Sequence, residues 1–144
     1  MLTTNQKGAI AETAIAHEAI KLGIGVYHSY ADERFDFIFD LRPRLVRVQC
    51  KSAPREGDVI VARLYSARRT ATGLVRRIYN AGEIDAFALY CPDTEKCYFL
   101  DVKDFESRNC VFLRLDPTRN NQASGVNWAR EYEFGATLKH LVGP

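Results

Sequence analysis

Three polar residues fall on two predicted β-strands at spacings that could bring them to one patch of a hairpin. Residues 34–40 alternate phenylalanine with other side chains, so Asp36 lies on the face opposite the phenylalanines. Residues 45–51 form the next predicted strand, and the two-residue period of a strand places Gln49 and Lys51 on one face. A carboxylate, an amide and an ammonium group gathered in this way can bind a cation and a phosphate.

The loop between these strands decides whether the three groups meet. Residues 41–44 (Leu-Arg-Pro-Arg) predict a turn, because proline suits turns and interrupts a ladder. A four-residue loop pairs Asp40 with Leu45, and counting outward from that pair places Asp36 opposite Gln49. A change of one residue in the loop would break this register. A separate alternative is that the phenylalanine face forms the core and Asp36 simply faces solvent, as is common on an edge hairpin.

Glu12 is a carboxylate surrounded by small and apolar residues on a predicted helix over 4–22. An apolar helix stripe should pack on the sheet, and burying a carboxylate there costs roughly several kcal/mol unless something compensates. Glu12 therefore either reaches water from the rim of the stripe or belongs to a functional site, and its position alone favours neither. The neighbours three and four positions away on the helix are Gly8, Ala9, Ile15 and Ala16.

The oxygen donors of these residues suit a hard divalent cation such as Mg²⁺, or Mn²⁺. Asp36 and Glu12 offer carboxylates, Gln49 offers an amide oxygen, and Cys50 offers its backbone carbonyl. A cation held there would polarise a scissile phosphate and lower the pKa of a water molecule. Lys51 could orient that water or stabilise charge that develops on the phosphate. The set predicts hydrolysis of a phosphodiester, with weaker metal affinity than a third acid in place of Gln49 would give.

Positive charge is concentrated in one stretch, although the net charge of the chain is only +2. Residues 61–82 carry five arginines and no acidic residue. Guanidinium groups suit bidentate contact with phosphate, so the stretch predicts a nucleic-acid contact; a solvated helix face and loop is the alternative of equal weight. We call these residues the arginine window: Arg63, Arg68, Arg69, Arg76 and Arg77.

The order of predicted elements indicates an α/β sandwich with a mixed sheet, in a single domain over residues 1–144. The helix over 4–22 and the hairpin over 34–51 lie near its start. The other predicted elements are strands over 25–30 and 58–65, a helix over 72–80, a second hairpin over 84–91 and 96–102, a polar loop from 117, and an unassigned segment over 126–134.

Composition excludes several other classes of protein. The four cysteines form no CxxC pair, which argues against a zinc site and for reduced thiols in a cytoplasmic protein. No apolar run approaches the length of a membrane span, and no secretory signal precedes the first helix. Trp128 is expected in the core or at a subunit interface, and the three histidines show no triad or zinc spacing, so they receive no role: His17, His28 and His140.

The order of the candidate residues resembles the PD-(D/E)XK nuclease superfamily. Glu12 on the first helix, Phe35-Asp36 on a strand and Gln49-Cys50-Lys51 on the next match its signature, with Phe35 in place of the proline and Gln49 in place of the last acid. The chain is most similar to group I intron-encoded homing endonucleases of this fold, which also carry glutamine there. Further similar segments are Lys7-Gly8, residues 82–87, residues 119–122 and Trp128-Ala129.

This resemblance implies a restriction-endonuclease-like αβββαβ core, with a mixed central sheet flanked by helices. It also implies Mg²⁺-dependent hydrolysis of double-stranded or branched DNA by a homodimer or homotetramer. The arginine window would contact DNA, and Arg119, Asn120 and Gln122 would form a second contact loop. Two alternatives remain: a Holliday junction resolvase or repair nuclease, since resolvases share this core, and a catalytically inert nucleic-acid-binding protein with a nuclease fold.

Overall fold

The computed structural model of the protein describes residues 1–117, 120 and 124–143. Its first helix, α1, covers Thr4–Lys21, as predicted, and begins with a capping box. The hydroxyl of Thr3 accepts a hydrogen bond from the Gln6 backbone, while the Gln6 side chain accepts one from the Thr3 backbone. The buried stripe of α1 consists of Ala11, Ile15 and Ala19.

Within the described residues ten strands follow α1, and the largest sheet has five of them. The strands are β1 Gly25–His28, β2 Phe37–Asp40, β3 Leu45–Ser52, β4 Arg55–Glu56, β5 Val59–Arg63, β6 Tyr65–Thr70, β7 Gly73–Ile78, β8 Ala86–Cys91, β9 Lys96–Asp101 and β10 Cys110–Arg114. The central sheet has the order β1-β2-β3-β8-β9. The β3–β8 pair is parallel and the other neighbours are antiparallel, so the sheet is mixed, as expected.

The hairpin of β2 and β3 has the predicted register. Asp40 pairs with Leu45 and Phe37 pairs with Val48. One residue before β2, the Asp36 N–H still donates to the Val48 carbonyl at 2.9 Å. The four-residue loop therefore aligns the strands as the turn chemistry predicted.

Two hydrophobic clusters lie on opposite faces of the central sheet. One packs Phe39, Val46 and Val48 against Ile15 of α1. The other lies between the central sheet and a three-stranded sheet of order β10-β5-β4. Phe35 packs against this second cluster, so it does not share a face with the other two phenylalanines of the segment. The alternation fails there because Phe35 precedes the first residue of β2.

The remaining two strands form a separate two-stranded ribbon, β6–β7, which we call the ribbon. The helix predicted over 72–80 is wrong, because this segment is β7 and pairs antiparallel with β6 from Tyr65–Ile78 to Thr70–Gly73. Gly73 at the tip has a positive φ of 128°, which glycine adopts without steric cost. The mixed central sheet with its flanking helix agrees with the predicted fold class, although the ribbon stands where the αβββαβ order expects its second helix.

The C-terminal part adds short helical turns to both clusters, since Ala129 packs in the second cluster and Phe134 in the first. The segment left unassigned over 126–134 contains a 3₁₀ turn, Ala129–Glu131, and the start of α2, Phe134–Thr137. Half-buried Trp128 forms an isolated parallel β-bridge with Arg114 of β10. The sequence did not indicate this strand. In the described ranges, no helix combines the length and hydropathy that crossing a bilayer requires.

Candidate active site

Asp36 directly precedes β2, at the edge of the central sheet formed by the beginning of that strand. Its carboxylate oxygen Oδ2 accepts a hydrogen bond from the Cys50 N–H at 2.8 Å. Extending the β2–β3 register by one residue places Asp36 beside Gln49, so the predicted neighbours meet. The structure therefore brings Asp36 to the strand that carries Gln49 and Lys51.

Glu12 joins this group from α1, on the other side of the sheet edge. It lies beside the buried stripe rather than within it, since Gly8 and Ala9 are exposed. Its carboxyl group lies close enough to that of Asp36 for the negative charge of Asp36 to raise the pKa of Glu12. Glu12 therefore sits at the rim of the stripe and also lies near the second carboxylate, and its membership of a functional site stays a prediction.

The two carboxyl groups hold a proton more tightly than isolated acids do. Burial raises the pKa of Glu12, and the negative charge of Asp36 raises it further. Burial also raises the pKa of Asp36, although the Cys50 N–H and the Lys51 ammonium oppose that rise. A divalent cation bound beside the two carboxylates would offset this cost of ionising them.

Lys51 points from β3 toward the base of the ribbon. Its Nζ donates to the Tyr65 carbonyl at 2.7 Å and lies 5.4 Å from the centroid of the Tyr79 ring. Burial lowers the pKa of Lys51, while the charge of Asp36 raises it and that of Arg34 lowers it. One N–H of the ammonium is thus committed to the protein, which leaves two for a phosphate or a water molecule.

Gln49 and Cys50 complete the proposed donor set. Gln49 is half-buried and pairs with Phe87 of β8, on the same face as Lys51. The Cys50 N–H points to Asp36, and the carbonyl of a strand residue points to the same side as its N–H. The Cys50 thiol faces the α1 side, where burial raises its pKa.

The chemistry of these donors fits a Mg²⁺-like ion. Within the described residues, no three His, Cys, Asp or Glu side chains are grouped to hold a metal. The set here has only two carboxylates, and its other oxygens come from an amide and a peptide carbonyl. Mg²⁺ commonly binds through one or two carboxylates and keeps several waters, so a set with two neighbouring acids is compatible with such an ion.

His28 is a neighbour of the site that no sequence pattern indicated. It is the last residue of β1, pairs with Phe37 of β2, and packs its ring against the Phe37 ring at 5.5 Å. With Glu12 it lines a concavity of about 300 Å³, and its charged form lowers the pKa of both Glu12 and Asp36. Only the pairing of β1 with β2 places it there, and the spacing along the chain does not reveal that pairing.

The arginine window lies on and beside the ribbon. Arg69 and Arg76 are exposed on one ribbon face, with the Arg76 guanidinium 4.8 Å over the Tyr65 ring. Arg77, on the other face, pairs with Glu83 at 2.7 Å, and Arg63 of β5 pairs with Glu56 at 3.4 Å. The side chain of Arg68 lies outside the described part of the structure, as do residues Arg119 and Gln122; Asn120 is described in a turn.

A family model for PD-(D/E)XK endonucleases matches residues 2–135, so the chain belongs to the PD-(D/E)XK endonuclease family. It is also similar to the solved structure of a bacterial homing endonuclease, I-Ssp6803I. The two sequences are 27% identical, the likeness covers 92% of this chain and 89% of that chain, and the TM-score is 0.73. No curated protein matches the chain. Family and structural neighbour together support a DNA endonuclease.

Proposed function

We propose that the protein is a divalent-metal-dependent DNA endonuclease of the homing type, which hydrolyses phosphodiester bonds at a specific site. The observation that carries this proposal is the approach of the Glu12 and Asp36 carboxyl groups at the sheet edge, where the Cys50 N–H holds Asp36 and the charge of Asp36 raises the pKa of Glu12. Lys51 approaches the same edge from β3, where its charge interacts with that of Asp36. Two acids and a lysine arranged in this way supply a cation site and a positive group for the phosphate.

Each residue then has a distinct role. Asp36, Glu12, Gln49 and the Cys50 carbonyl would hold Mg²⁺ or Mn²⁺, which polarises the phosphate and lowers the pKa of water when bound. The Cys50 N–H fixes the orientation of the Asp36 carboxylate. Lys51, which is held by the Tyr65 carbonyl, directs its remaining N–H groups toward the negative charge that develops on the phosphate.

The ribbon is the proposed DNA-contacting element, together with the loop that carries Arg119, Asn120 and Gln122. The major groove of B-DNA admits a two-stranded ribbon, and guanidinium groups contact phosphates or guanine edges there. Exposed Arg69 and Arg76 suit that role directly. Arg63, Arg68 and Arg77 would contribute to the same positive surface.

The proposed substrate also indicates how many copies of the protein assemble and where the protein acts. One chain carries one candidate site, whereas cutting both strands of a duplex requires two sites. We therefore propose a homodimer or homotetramer, which acts in the cytoplasm on double-stranded or branched DNA. Retention of both Asp36 and Lys51 favours cutting over the inert DNA-binding alternative.

Incubation of the protein with DNA tests this function. Supercoiled plasmids carrying a random-sequence library, and a four-way junction, are treated with protein in Mg²⁺, in Mn²⁺ and in chelator. The homing-type proposal predicts metal-dependent cutting of a discrete subset of library members, which sequencing of the ends identifies. Junction cutting alone would indicate a resolvase, and binding without cutting of any substrate would indicate the inert alternative.

A further inference from the structure

Glu83 bridges the body of the protein and the ribbon. Its Oε2 accepts from Arg34 Nε at 2.8 Å and from Arg77 Nη2 at 2.7 Å. Arg34 precedes β2, whereas Arg77 belongs to β7 of the ribbon. The Glu83 side chain is only 15% exposed, so the centre of this bridge is shielded from water, whereas its Arg77 end is open.

Arg34 extends the bridge to both strands of the ribbon. Its Nη1 donates to the Ser66 hydroxyl of β6 at 2.9 Å, and its Nη2 donates to the Ile78 carbonyl of β7 at 3.4 Å. Arg34 also stands two residues before Asp36 in the chain. A single guanidinium thus connects the base of the ribbon to the segment that carries the candidate metal ligand.

The same contacts reach Lys51 through an aromatic ring. The Arg34 guanidinium lies 3.6 Å over the Tyr79 ring, and Lys51 Nζ is 5.4 Å from the centroid of that ring. Lys51 also donates to the carbonyl of Tyr65, the first residue of β6. The base of the ribbon and the candidate active site therefore share their supporting side chains.

The ribbon needs such an attachment. Its two strands pair with each other and with no strand of the other two sheets, and all six residues of β7 are exposed. A two-stranded ribbon without a packed face is marginally stable in water. Its direction relative to the central sheet must come from side chains at its base.

Stability and DNA affinity do not by themselves explain Glu83. Its other oxygen, Oε1, is buried with no hydrogen-bond partner among the described residues, which is costly for a carboxylate. Its negative charge also pairs with Arg77 beside a surface that should attract phosphate, so it reduces that attraction. We therefore look to the geometry of the bridge to explain why a glutamate stands at position 83.

We propose that Glu83 is a positioning residue, which holds the ribbon at a fixed angle to Asp36 and Lys51 so that bound DNA presents a phosphate to the site. This inference rests on the proposed nuclease function. In this role Glu83 contacts neither the DNA nor the cation. The strength of DNA binding then depends on the charge of the ribbon, whereas the rate of cutting depends on its direction.

The test compares Glu83→Gln with the matched variant Glu56→Gln. Each substitution keeps the size of the side chain and releases one arginine of the window, Arg77 or Arg63. Both variants should bind a plasmid-derived duplex in chelator as tightly as wild type or tighter. With DNA saturated by protein in Mg²⁺, Glu83→Gln should cut about ten- to a hundredfold more slowly, as expected for a misplacement near 1 Å. Glu56→Gln should cut at the wild-type rate.

A second measurement does not depend on DNA cutting. Trypsin cleaves after arginine, so cuts at Arg69 and Arg76 report how often the ribbon opens. Mass spectrometry should find these cuts faster in Glu83→Gln than in wild type or Glu56→Gln. Wild-type protease resistance together with a wild-type cutting rate in Glu83→Gln would overturn the positioning role.

The outcomes separate the two proposals. A wild-type protein that cuts no DNA would overturn the nuclease function, and the trypsin comparison would still decide the structural part of the inference. If Glu83→Gln melts too early to assay, Arg77→Gln breaks the bridge from its exposed end, where the guanidinium is 64% exposed. That variant should show the same slower cutting at saturating protein, and an unchanged rate would overturn the inference.

Discussion

The hairpin β2–β3 and the ribbon β6–β7 are both pairs of antiparallel strands, yet only the hairpin has a buried face. Val46 and Val48 of the hairpin pack beneath α1, so its register is fixed by burial as well as by its loop. The ribbon exposes β7 throughout and depends on polar contacts at its base. We infer a division of labour, in which the rigid hairpin positions the chemistry and the exposed ribbon engages DNA.

Removing one carboxylate of the hairpin gives the largest expected effect. Asp36→Asn keeps an oxygen acceptor for the Cys50 N–H but removes the charge that attracts a cation. We expect cutting to fall about a thousandfold or more, because Lewis-acid stabilisation is worth several kcal/mol and each 1.36 kcal/mol is tenfold in rate. Single-turnover cleavage in Mg²⁺ measures this, with DNA affinity in chelator as the control. Cleavage within a few fold of wild type would remove Asp36 from the site.

Lys51→Met should follow in size. It removes the ammonium while leaving an apolar chain in the half-buried space below Tyr79. We expect a loss of about a hundred- to a thousandfold in the single-turnover rate, the range for one group that stabilises transition-state charge. Lys96→Met, on an exposed lysine of β9, serves as the control and should cut normally. A Lys51→Met protein as active as wild type would contradict the role given to this lysine.

The ribbon should instead control affinity. Arg69→Ala combined with Arg76→Ala removes two exposed cations, so log Kd against log salt should lose about two units of slope. The rate at saturating protein should change little. Lys103→Ala with Lys139→Ala removes the same charge from other exposed positions and should leave the slope unchanged. An unaltered slope in the arginine variant would exclude the ribbon from the DNA contact.

The smallest effect concerns stability and pH in the absence of metal. Burial raises the pKa of both Glu12 and Asp36, and the charge of Asp36 raises that of Glu12 further, so ionising the pair in the folded state is unfavourable. Their stabilising contribution is complete below the unfolded-state pKa values and is lost as pH rises through the folded-state values. Asp36→Asn should therefore melt a few degrees above wild type at neutral pH, and the difference should shrink in acid. Thermal unfolding in chelator measures it, and a variant less stable at neutral pH would contradict the repulsion.

Much of the hairpin was predictable because its information is local. The alternation of Phe37 and Phe39 and the four-residue loop fix a register that the Asp40–Leu45 pair confirms. Glu12 was visible only as an oddly placed acid, because its approach to Asp36 depends on how α1 packs on the sheet. The family resemblance, rather than spacing, joined it to the other residues.

The ribbon was misassigned for a physical reason. Most residues of the segment 72–80 are tolerated in a helix, so their types alone do not exclude one. The segment is a strand because it pairs with β6, and its exposure on both faces leaves no burial pattern that would reveal this. The Glu83 bridge joins residues 49 positions apart, Arg34 and Glu83, and no local pattern reports such a contact. The position of His28 depends likewise on the β1–β2 pairing.

Anomalous diffraction from a crystal soaked in Mn²⁺ tests the central claim most directly. The account predicts a peak bonded to the Asp36 and Glu12 carboxylates, within reach of the Gln49 amide and the Cys50 carbonyl, and its absence in Asp36→Asn crystals. A Mn²⁺ peak bound elsewhere, in a protein that cuts DNA with Mn²⁺, would contradict the site.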